Sequence, residues 1–380
     1  MKELGLLPKI LEQGTVIESM DIRRYKDGSL ITSMPCGDTV TQEYGAPWMA
    51  DYRQILLRWA VSIGVMIRPN ALVVDVLFET SQVILANGMR FTGDVIVGSD
   101  GLWSTVRNAV LDKPSPPIET GDLAYRATFS RGELESLNDP KINELCSRSV
   151  VTAWFGPKSH AVFYPLRGAT EFNLVLLQPD DLPAGIRTKQ GDLGEVRYGY
   201  RDWDETLRKI ISCIPSILKW KLCHLPELHT WSKGHATLLG DACHPTLPYQ
   251  AQGAAMAVED GAVLGMLLGS IASRRENTLA EGMAADIPAV LNLYEQIRKP
   301  YTSRNVDGAN RNRRIFHLED GTPQWLRDRF LSISGLTWKT DWGFIMSYRY
   351  RQMLGNDVLQ ETEKGLRKLW GKATVHSHQD

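Results

Sequence analysis

The sequence predicts an α/β fold in which a mainly antiparallel sheet is inserted into a domain of parallel strands and helices. Two apolar runs, 94–97 and 236–239, each stop at a glycine and lead into a helical segment, as strands of a parallel sheet do. Between them, residues 121–229 show spaced strand patterns separated by loops. After residue 250 the apolar residues recur at helical spacing.

The composition is that of a globular protein that binds a small molecule. The 380 residues are 43% hydrophobic, and 43 Lys and Arg balance 44 Asp and Glu, which is enough chain for two domains. The balance offers no basic surface for nucleic acid or an anionic membrane. The most apolar stretch, 251–271, is interrupted by Glu259 and Asp260, so neither a membrane-spanning nor a targeting segment is predicted. The sequence does not set an oligomeric state.

The cysteines predict free thiols rather than a disulfide framework or a metal site. Their number is odd and no Cys-x-x-Cys pair occurs, whereas zinc sites and disulfide-rich domains use paired spacings. A reducing compartment, the cytoplasm, fits them best. The five are Cys36, Cys146, Cys213, Cys223 and Cys243.

The N-terminal third predicts two helices and several strands. Asp27-Gly28 suits the positive φ angles of a tight hairpin, and the run at 94–97 is β-branched and continuous, so we expect it to be buried on both faces. In chain order the predicted elements are a helix ending at Gly14, strands at 15–25 and 30–34, a helix from Pro47 to Gly64, and strands at 71–78, 82–86 and 94–97.

The rest of the chain predicts the inserted sheet and then helices. Its elements are strands at 123–129, 150–155, 160–166 and 172–178, a helix at 203–220 that Pro215 interrupts, a strand at 236–239, and helices at 253–268, 289–310 and onward to about 372. The predicted division is residues 1–120 for a partial first domain with the first sheet strands, 121–229 for the inserted sheet, 230–300 for the return to the first domain, and 301–380 for a C-terminal helical region.

The sharpest candidate site follows the strand at 236–239. This strand stops at Gly240-Asp241, a loop stiffened by prolines follows, and Gln252-Gly253 opens a helix. A carboxylate at the end of a strand accepts hydrogen bonds from sugar-type hydroxyls, and a helix N-terminus aims N–H groups at an electron-rich ring. The segment therefore predicts a ligand site.

A second strand-to-helix junction repeats this pattern. The strand at 94–97 breaks at Gly98, Asp100-Gly101 form a turn, and Ser104 caps a helix that carries Arg107. An ordinary Asp-Gly turn and an ordinary helix cap explain each feature without a ligand. Two such junctions with one acid each favour a single extended dinucleotide.

These two segments resemble the motifs of a known enzyme family. Residues 98–107 resemble the DG motif of the group A flavoprotein monooxygenases, and residues 240–245, with Pro248 and Gln252-Gly253, resemble their GD motif. This is the family of para-hydroxybenzoate hydroxylase, and the chain is most similar to its salicylate hydroxylase and 6-hydroxynicotinate monooxygenase branch. The resemblance implies a para-hydroxybenzoate hydroxylase-like FAD domain, N-terminally truncated, with an inserted mainly antiparallel substrate-binding sheet and C-terminal helices.

The resemblance also implies a reaction and its participants. FAD is the implied cofactor, NAD(P)H the reductant and molecular oxygen a substrate. The ring that is hydroxylated is aromatic, phenolic or polyketide-like, in secondary metabolism or aromatic catabolism. The residues implied to bind the cofactor are Arg53, Asp100, Arg107, Asp241, Pro248, Gln252 and Gly253.

One part of the family pattern is not found in this sequence. Members begin with a strand, a Gly-x-Gly-x-x-Gly turn and a helix that bind the AMP half of FAD. Met1 lies beyond that unit, and Tyr52 stands where the family has histidine. We therefore expect substoichiometric FAD. Two alternatives stay open: a flavin-poor homologue that acts as a metabolite-binding, cyclase or accessory protein, and a non-functional fragment.

The inserted sheet supplies the candidate catalytic residues. His160 and Tyr164 are four apart on a strand and therefore share one face. In the nicotinate branch a His-x-x-x-Tyr-Pro pattern helps to bind and deprotonate the ring hydroxyl, and a histidine suits such general-base work at neutral pH. The alternative is that both are ordinary strand residues.

Overall fold

The computed structural model describes residues 4–36, 47–48, 52–275, 283–336 and 355–371. The chain divides into two compact units, each assembled from three segments. Unit 1 contains Met1–Ile67, Thr120–Leu222 and Arg314–Asn356, and unit 2 contains Arg68–Glu119, Cys223–Arg313 and Asp357–Asp380.

Helices and strands contribute to both units. The helices of the described residues are α1 (Leu7–Gln13), α2 (Tyr52–Ser62), α3 (Thr105–Val110), α4 (Arg131–Glu135), α5 (Pro140–Ser147), α6 (Leu193–Gly199), α7 (Glu205–Ser212), α8 (Gly253–Arg275), α9 (Met283–Phe316), α10 (Thr322–Leu336) and α11 (Val358–Trp370). The strands are β1 (Thr15–Val16), β2 (Ser19–Arg24), β3 (Leu30–Pro35), β4 (Pro47–Trp48), β5 (Val73–Leu77), β6 (Gln82–Leu85), β7 (Arg90–Thr92), β8 (Ile96–Gly98), β9 (Ile118–Ser130), β10 (Val150–Gly156), β11 (Ser159–Leu166), β12 (Glu171–Pro179), β13 (Thr188–Gln190), β14 (Leu218–His224), β15 (Ser232–Lys233) and β16 (Ala236–Leu238).

Unit 1 is built on an eight-stranded sheet in the order β13-β14-β9-β12-β11-β10-β2-β3. Neighbouring strands from β9 to β12 are antiparallel, and β2 is parallel to β10. Alternate residues such as Tyr125, Phe163 and Leu174 pack against the helical layer formed by α4 to α7. The four predicted strands between residues 123 and 178 are confirmed, because each has one face in this core.

The predicted N-terminal hairpin is also confirmed. Gly28 has a φ of 69°, and Asp27 accepts a hydrogen bond from the N–H of Ser29 at 3.0 Å. Strands β2 and β3 on either side of the turn are antiparallel, and they extend the large sheet rather than forming a separate one.

Unit 2 brings the two strand-to-helix junctions together. It contains two three-stranded sheets, β15-β16-β8 and β5-β6-β7. Strand β16 is parallel to β8, with Leu238 opposite Gly98, so both turns leave the same edge of the sheet. Side chains of α3, α8 and α11, including Val106, Val263 and Leu366, form the core around these strands.

Four local predictions are wrong or incomplete, three of them in the N-terminal third and the fourth in the segment 203–220. Pro47 does not open a helix, because Pro47–Trp48 pair with Thr15–Val16 as short strands and α2 begins at Tyr52. The strand at 94–97 is not buried on both faces, since β8 is an edge strand of its described sheet and Val97 is 39% exposed. Strand β7 was not predicted.

The predicted helix at 203–220 is correct only for α7. Strand β14 begins at Leu218, where apolar and lysine residues alternate. Lys219 and Lys221 are buried because they pair with Asp181 at 2.8 Å and Asp180 at 3.1 Å. A strand with one buried face is recognised in a sequence by alternating apolar residues. Here the buried positions are lysines, which sequence patterns assign to the solvent-facing side, so the alternation was not recognised.

Helix α8 is long and apolar enough to cross a membrane by length and composition alone. Its middle, however, carries Asp260, which is fully buried and paired with Arg298 at 2.7 Å. A buried acid with its own cation marks α8 as a core helix of unit 2.

Candidate active site

The Gly240–Ala242 turn lies at the carboxyl end of β16. Gly240 has a φ of 63°, and a Cβ there would lie 3.1 Å from the Cβ of Ala257 on α8. Glycine is needed both for the left-handed backbone and for this close approach. Asp241 is therefore presented at the strand end with an exposed side chain, although the surrounding protein partly desolvates its carboxyl and raises its pKa.

A buried carboxylate fixes this turn. Asp260 on α8 accepts hydrogen bonds from the N–H of Gly240 at 3.1 Å and from Nε2 of His244 at 2.6 Å. It also accepts one from Nε of Arg298 on α9 at 2.7 Å. Burial by itself raises the pKa of Asp260, but the hydrogen bond from His244 and the Arg298 guanidinium outweigh burial and lower it. The turn, the loop after it and α9 are thus joined at one ionised group.

Sequence reasoning missed Arg298. Its Nη2 also donates to the Glu259 carboxylate at 2.8 Å and to the Met256 carbonyl at 3.2 Å. A signal was present, because Glu259 and Asp260 are adjacent acids in an otherwise apolar helix. Such a pair needs a buried cation, but the sequence does not show which arginine supplies it.

The loop before α8 carries the remaining predicted residues of this segment. Pro248 is exposed, and Gln252 and Gly253 are half-buried. Ala251 adopts a φ of 54°, a strained conformation for a residue with a side chain. Ala254, in the first turn of α8, is exposed, so the helix N-terminus offers its N–H groups at an accessible surface.

The junction after β8 is closed by its own side chains. The Asp100 carboxylate accepts a hydrogen bond from the N–H of Thr105 at 2.7 Å, and Ser104 Oγ accepts one from the N–H of Arg107 at 2.8 Å. The predicted Ser104 cap is confirmed. Asp100 thus holds the start of α3, and its direct contact with a cofactor stays a prediction.

Arg107 links the two junctions of unit 2. It is 1% exposed and donates to the carbonyls of Ala242 at 3.0 Å, Leu102 at 2.8 Å and Ser115 at 3.0 Å. Burial lowers the pKa of its guanidinium. These bonds make Arg107 a positioning residue for both turns, and its direct contact with a cofactor also stays a prediction.

Arg53 belongs to unit 1 and differs from Arg107 in its surroundings. It lies in the first turn of α2 with an exposed side chain. Within the described ranges it pairs with no carboxylate, so its charge is available to an anion. The predicted contact of Arg53 with FAD stays a prediction.

His160 lies on the sheet face opposite the helical core of unit 1. It is 3% exposed, and its Nδ1 lies 2.8 Å from Nε2 of His317. Rings of Phe155 and Phe316 meet it edge to face, with centroids 6.4 and 5.8 Å away. Burial, followed by the second imidazole, holds the pKa of His160 well below its ordinary value.

Tyr164 lies on the same face as His160 and is 5% exposed. It packs with Ile17 and Val151 and lies opposite Asn173 on β12. Burial raises the pKa of Tyr164, while the charge of Arg126 and the neighbouring Asn173 amide oppose the shift. Four strand residues span about 13 Å, so the two predicted catalytic residues share a face without sharing a proton directly.

Fold and turns together define an α/β enzyme with a nucleotide cofactor, and comparison with known proteins identifies the family. The model of the FAD binding domain family matches residues 1–309. The chain is 38% identical over 342 residues to FAD-dependent monooxygenase OpS4 of Beauveria bassiana (strain ARSEF 2860), covering 87% of this chain and 77% of that protein. It is 31% identical over 274 residues to 6-hydroxynicotinate 3-monooxygenase of Pseudomonas fluorescens, covering 70% of this chain and 69% of that protein.

A solved structure shows the same fold. The substrate complex of a salicylate hydroxylase superposes with a TM-score of 0.77 at 20% identity, covering 96% of this chain and 87% of that one. The chain belongs to the FAD binding domain family and is an FAD-dependent monooxygenase.

The residues of unit 2 fit the flavin half of FAD. Asp241 has an exposed carboxylate that would accept hydrogen bonds from hydroxyls of a ribityl chain, and the accessible N-terminus of α8 would offer N–H groups to a flavin ring. The glycine at position 240 keeps the backbone of the turn against α8. These features are what a bound flavin requires of this edge of the sheet.

Proposed function

We propose that this monooxygenase hydroxylates an aromatic ring that already carries a hydroxyl group, with NAD(P)H as reductant and molecular oxygen as co-substrate. The observation that carries the proposal is the Gly240–Ala242 turn with its exposed Asp241 beside the open N-terminus of α8. The names of relatives that act on 6-hydroxynicotinate and salicylate support an aromatic substrate.

FAD, once bound and reduced, supplies the activation of oxygen. The chain's own residues hold and polarise the cofactor. Asp241 accepts hydrogen bonds from ribityl hydroxyls, and the partial positive charge at the N-terminus of α8 favours negative charge on the ring. Asp260 and Arg298 keep both elements in place.

We assign His160 to the substrate hydroxyl and Tyr164 to substrate binding on the same sheet face. A phenol has a pKa of about 10, so its deprotonation at neutral pH needs a base. Because burial lowers the pKa of His160, this imidazole is neutral at pH 7 and accepts a proton. Because burial raises the pKa of Tyr164, its hydroxyl keeps its proton and donates a hydrogen bond to the substrate about 13 Å along the strand from His160.

We further place the protein in the cytoplasm. None of the five cysteines forms a disulfide in the described residues. Folding places Cys146 and Cys213 in unit 1 and Cys223 and Cys243 in unit 2, so each unit has at least two cysteines that could have been paired but are not. Thiols persist where glutathione keeps them reduced. Expression of a tagged chain and microscopy test this assignment.

The function is tested with FAD-reconstituted protein, NADH or NADPH, and ¹⁸O₂. Salicylate and 6-hydroxynicotinate are the first probes, followed by a panel of phenols and aromatic polyketides. We expect one ¹⁸O atom in an aromatic product, detected by mass spectrometry. FAD binding and NAD(P)H oxidation without oxygen transfer to any ring across the panel would contradict the proposal and favour a role in metabolite binding.

Three variants test the residue assignment. His160→Ala and Tyr164→Phe are expected to lower product per NAD(P)H, and to raise hydrogen peroxide, with unchanged flavin content. Loss of a general base typically costs about 10²- to 10⁴-fold in rate. Val162→Ala, on the same strand face, is the matched control because it removes volume without proton chemistry. Equal coupling in all three variants would remove His160 and Tyr164 from the site.

A further inference from the structure

A second histidine accompanies the proposed base. His317 follows the end of α9 and lies in unit 1, 157 residues from His160 in sequence, and Nε2 of His317 is 2.8 Å from Nδ1 of His160. The ring centroids are 5.0 Å apart with an interplanar angle of 43°. At this distance one ring must donate an N–H and the other must accept it.

The surroundings hold this pair in register. The N–H of Lys158, in the β10-β11 turn, donates to the carbonyl of His317 at 3.1 Å. Phe316, the residue before His317, stacks on Phe155 with centroids 4.0 Å apart. The end of α9 is therefore fixed to the β10-β11 hairpin, next to His160, by a backbone bond to the turn and an aromatic contact with β10, independently of the two imidazoles.

The two rings differ in their access to water. His160 is 3% exposed, whereas His317 is half-buried and follows the last turn of α9, in which Arg314 and Ile315 are exposed. A proton taken up by His160 alone leaves an imidazolium in a desolvated site, which is costly. A proton passed on to His317 leaves the charge nearer to solvent.

Resting on the proposed function of His160, we infer that His317 is a positioning and relay residue that carries the substrate proton from His160 towards solvent. In the starting state Nδ1–H of His160 donates to Nε2 of His317. The substrate O–H bond breaks as a new N–H bond forms at Nε2 of His160. The Nδ1 proton then moves to Nε2 of His317, so His160 returns to neutral and His317 carries the charge until water removes the proton.

Other charged groups near the pair already have partners. Tyr200 donates to the backbone carbonyl of His160 at 3.4 Å, and Arg327 donates to the carbonyl of Phe316 at 3.1 Å. The remaining ion pairs around this end of unit 1 are Lys158 with Glu319, Arg327 with Asp328, and Arg24 with Asp320.

His317→Gln is the decisive variant. Glutamine accepts the hydrogen bond from Nδ1–H of His160 but cannot take its proton. We expect product per NAD(P)H to fall roughly 10- to 100-fold at pH 7. We also expect it to recover as the pH approaches the phenol pKa of about 10, because the substrate then arrives deprotonated. Glu319→Gln, which removes only the neighbouring surface ion pair, is the control and should match the unchanged protein.

A spectroscopic measurement decides the same question without turnover. With ¹⁵N-labelled histidine, a coupling across the N–H···N hydrogen bond should join His160 Nδ1 to His317 Nε2 in the unchanged protein. In His317→Gln the pH dependence of the His160 ring signals should differ from that of the unchanged protein, because the group that receives the Nδ1 proton is gone. No coupling, or an identical His160 titration in both proteins, would overturn the inference.

The two readouts separate the proposals. If no probe is hydroxylated but the coupling and the linked titration are seen, the proposed function fails and the histidine pair stands. If hydroxylation is normal and equally coupled in His317→Gln at every pH, the relay fails and the function stands. If His317→Gln does not fold by circular dichroism, the coupling measured in the unchanged protein still decides whether the pair exists.

Discussion

Replacing Arg298 by alanine should destabilise unit 2 more than any surface change. Arg298 and Asp260 are each 0% exposed at their side chains and lie 2.7 Å apart. Removing Arg298 takes the buried cation away from both Asp260 and Glu259, and breaking a buried ion pair in this way costs about 3–5 kcal/mol. Since each kcal/mol lowers Tm by roughly 2–4 °C in a unit of 150–250 residues, the expected fall in Tm is about 6–20 °C.

The pH dependence of this loss has a defined sign. In the unchanged protein the pKa of Asp260 is lowered, so its ionised form contributes stability above its unfolded pKa of about 3.9, and that stability is lost as the pH falls through the folded pKa. In Arg298→Ala one of the two groups that lower the pKa of Asp260 is lost while burial and His244 remain, so this pKa is higher than in the unchanged protein. Protonation then relieves the buried charge, so the Tm gap between the two proteins should narrow from pH 7 towards pH 5.

The assay is a thermal melt of the flavin-free protein at several pH values, followed by FAD titration. Arg304→Ala removes an exposed arginine from the same helix and should change stability by no more than about 0.5 kcal/mol. Adding Asp260→Asn to Arg298→Ala should recover part of the loss, because the uncompensated charge is gone. A Tm for Arg298→Ala within the error of the Arg304→Ala value at pH 7 would refute the reasoning.

Three further changes test the turns of unit 2. Asp241→Ala should weaken the affinity for FAD about 5- to 150-fold, which is the equivalent of roughly 1–3 kcal/mol for a lost hydrogen-bond partner. Asp100→Ala should mainly lower Tm, because it removes a helix cap worth about 0.5–2 kcal/mol. Equal effects of the two variants in an FAD titration would contradict this. Ala251→Gly should raise stability by up to about 1 kcal/mol in denaturant unfolding, because it relieves a left-handed alanine, and a decrease would show that the φ is not strained. Gly240→Ala should lower both Tm and FAD content. Its control is Gly261→Ala on α8, where a Cβ meets open space, and this change should stabilise the protein by roughly 0.5–1 kcal/mol. Equal behaviour of the two variants would show that the turn tolerates a side chain.

The sequence determined the elements whose signals are local. Asp27-Gly28 predicted the first hairpin because positive φ is a property of a dipeptide. The strands at 123–129 and 160–166 were predicted because alternation reports one buried face. The strand, glycine turn and helix from 236 to 275 also follow from local pattern, and for this reason the amino-acid sequence alone is enough to make Asp241 a candidate ligand of the cofactor.

Tertiary structure alone decided which distant groups meet. Asp260 and Arg298 are 38 residues apart, and His160 and His317 are 157 apart, so no spacing rule connects them. Helix α7 ends at Ser212, and strand β14 begins at Leu218 with a buried Lys219 that is accommodated because Asp181, in the loop after β12, supplies its carboxylate partner. Burial of a charge depends on partners that folding supplies from elsewhere in the chain. For this reason the turn at Gly240–Ala242 could be predicted from sequence. The groups that hold this turn, and the partner of the proposed base His160, could not.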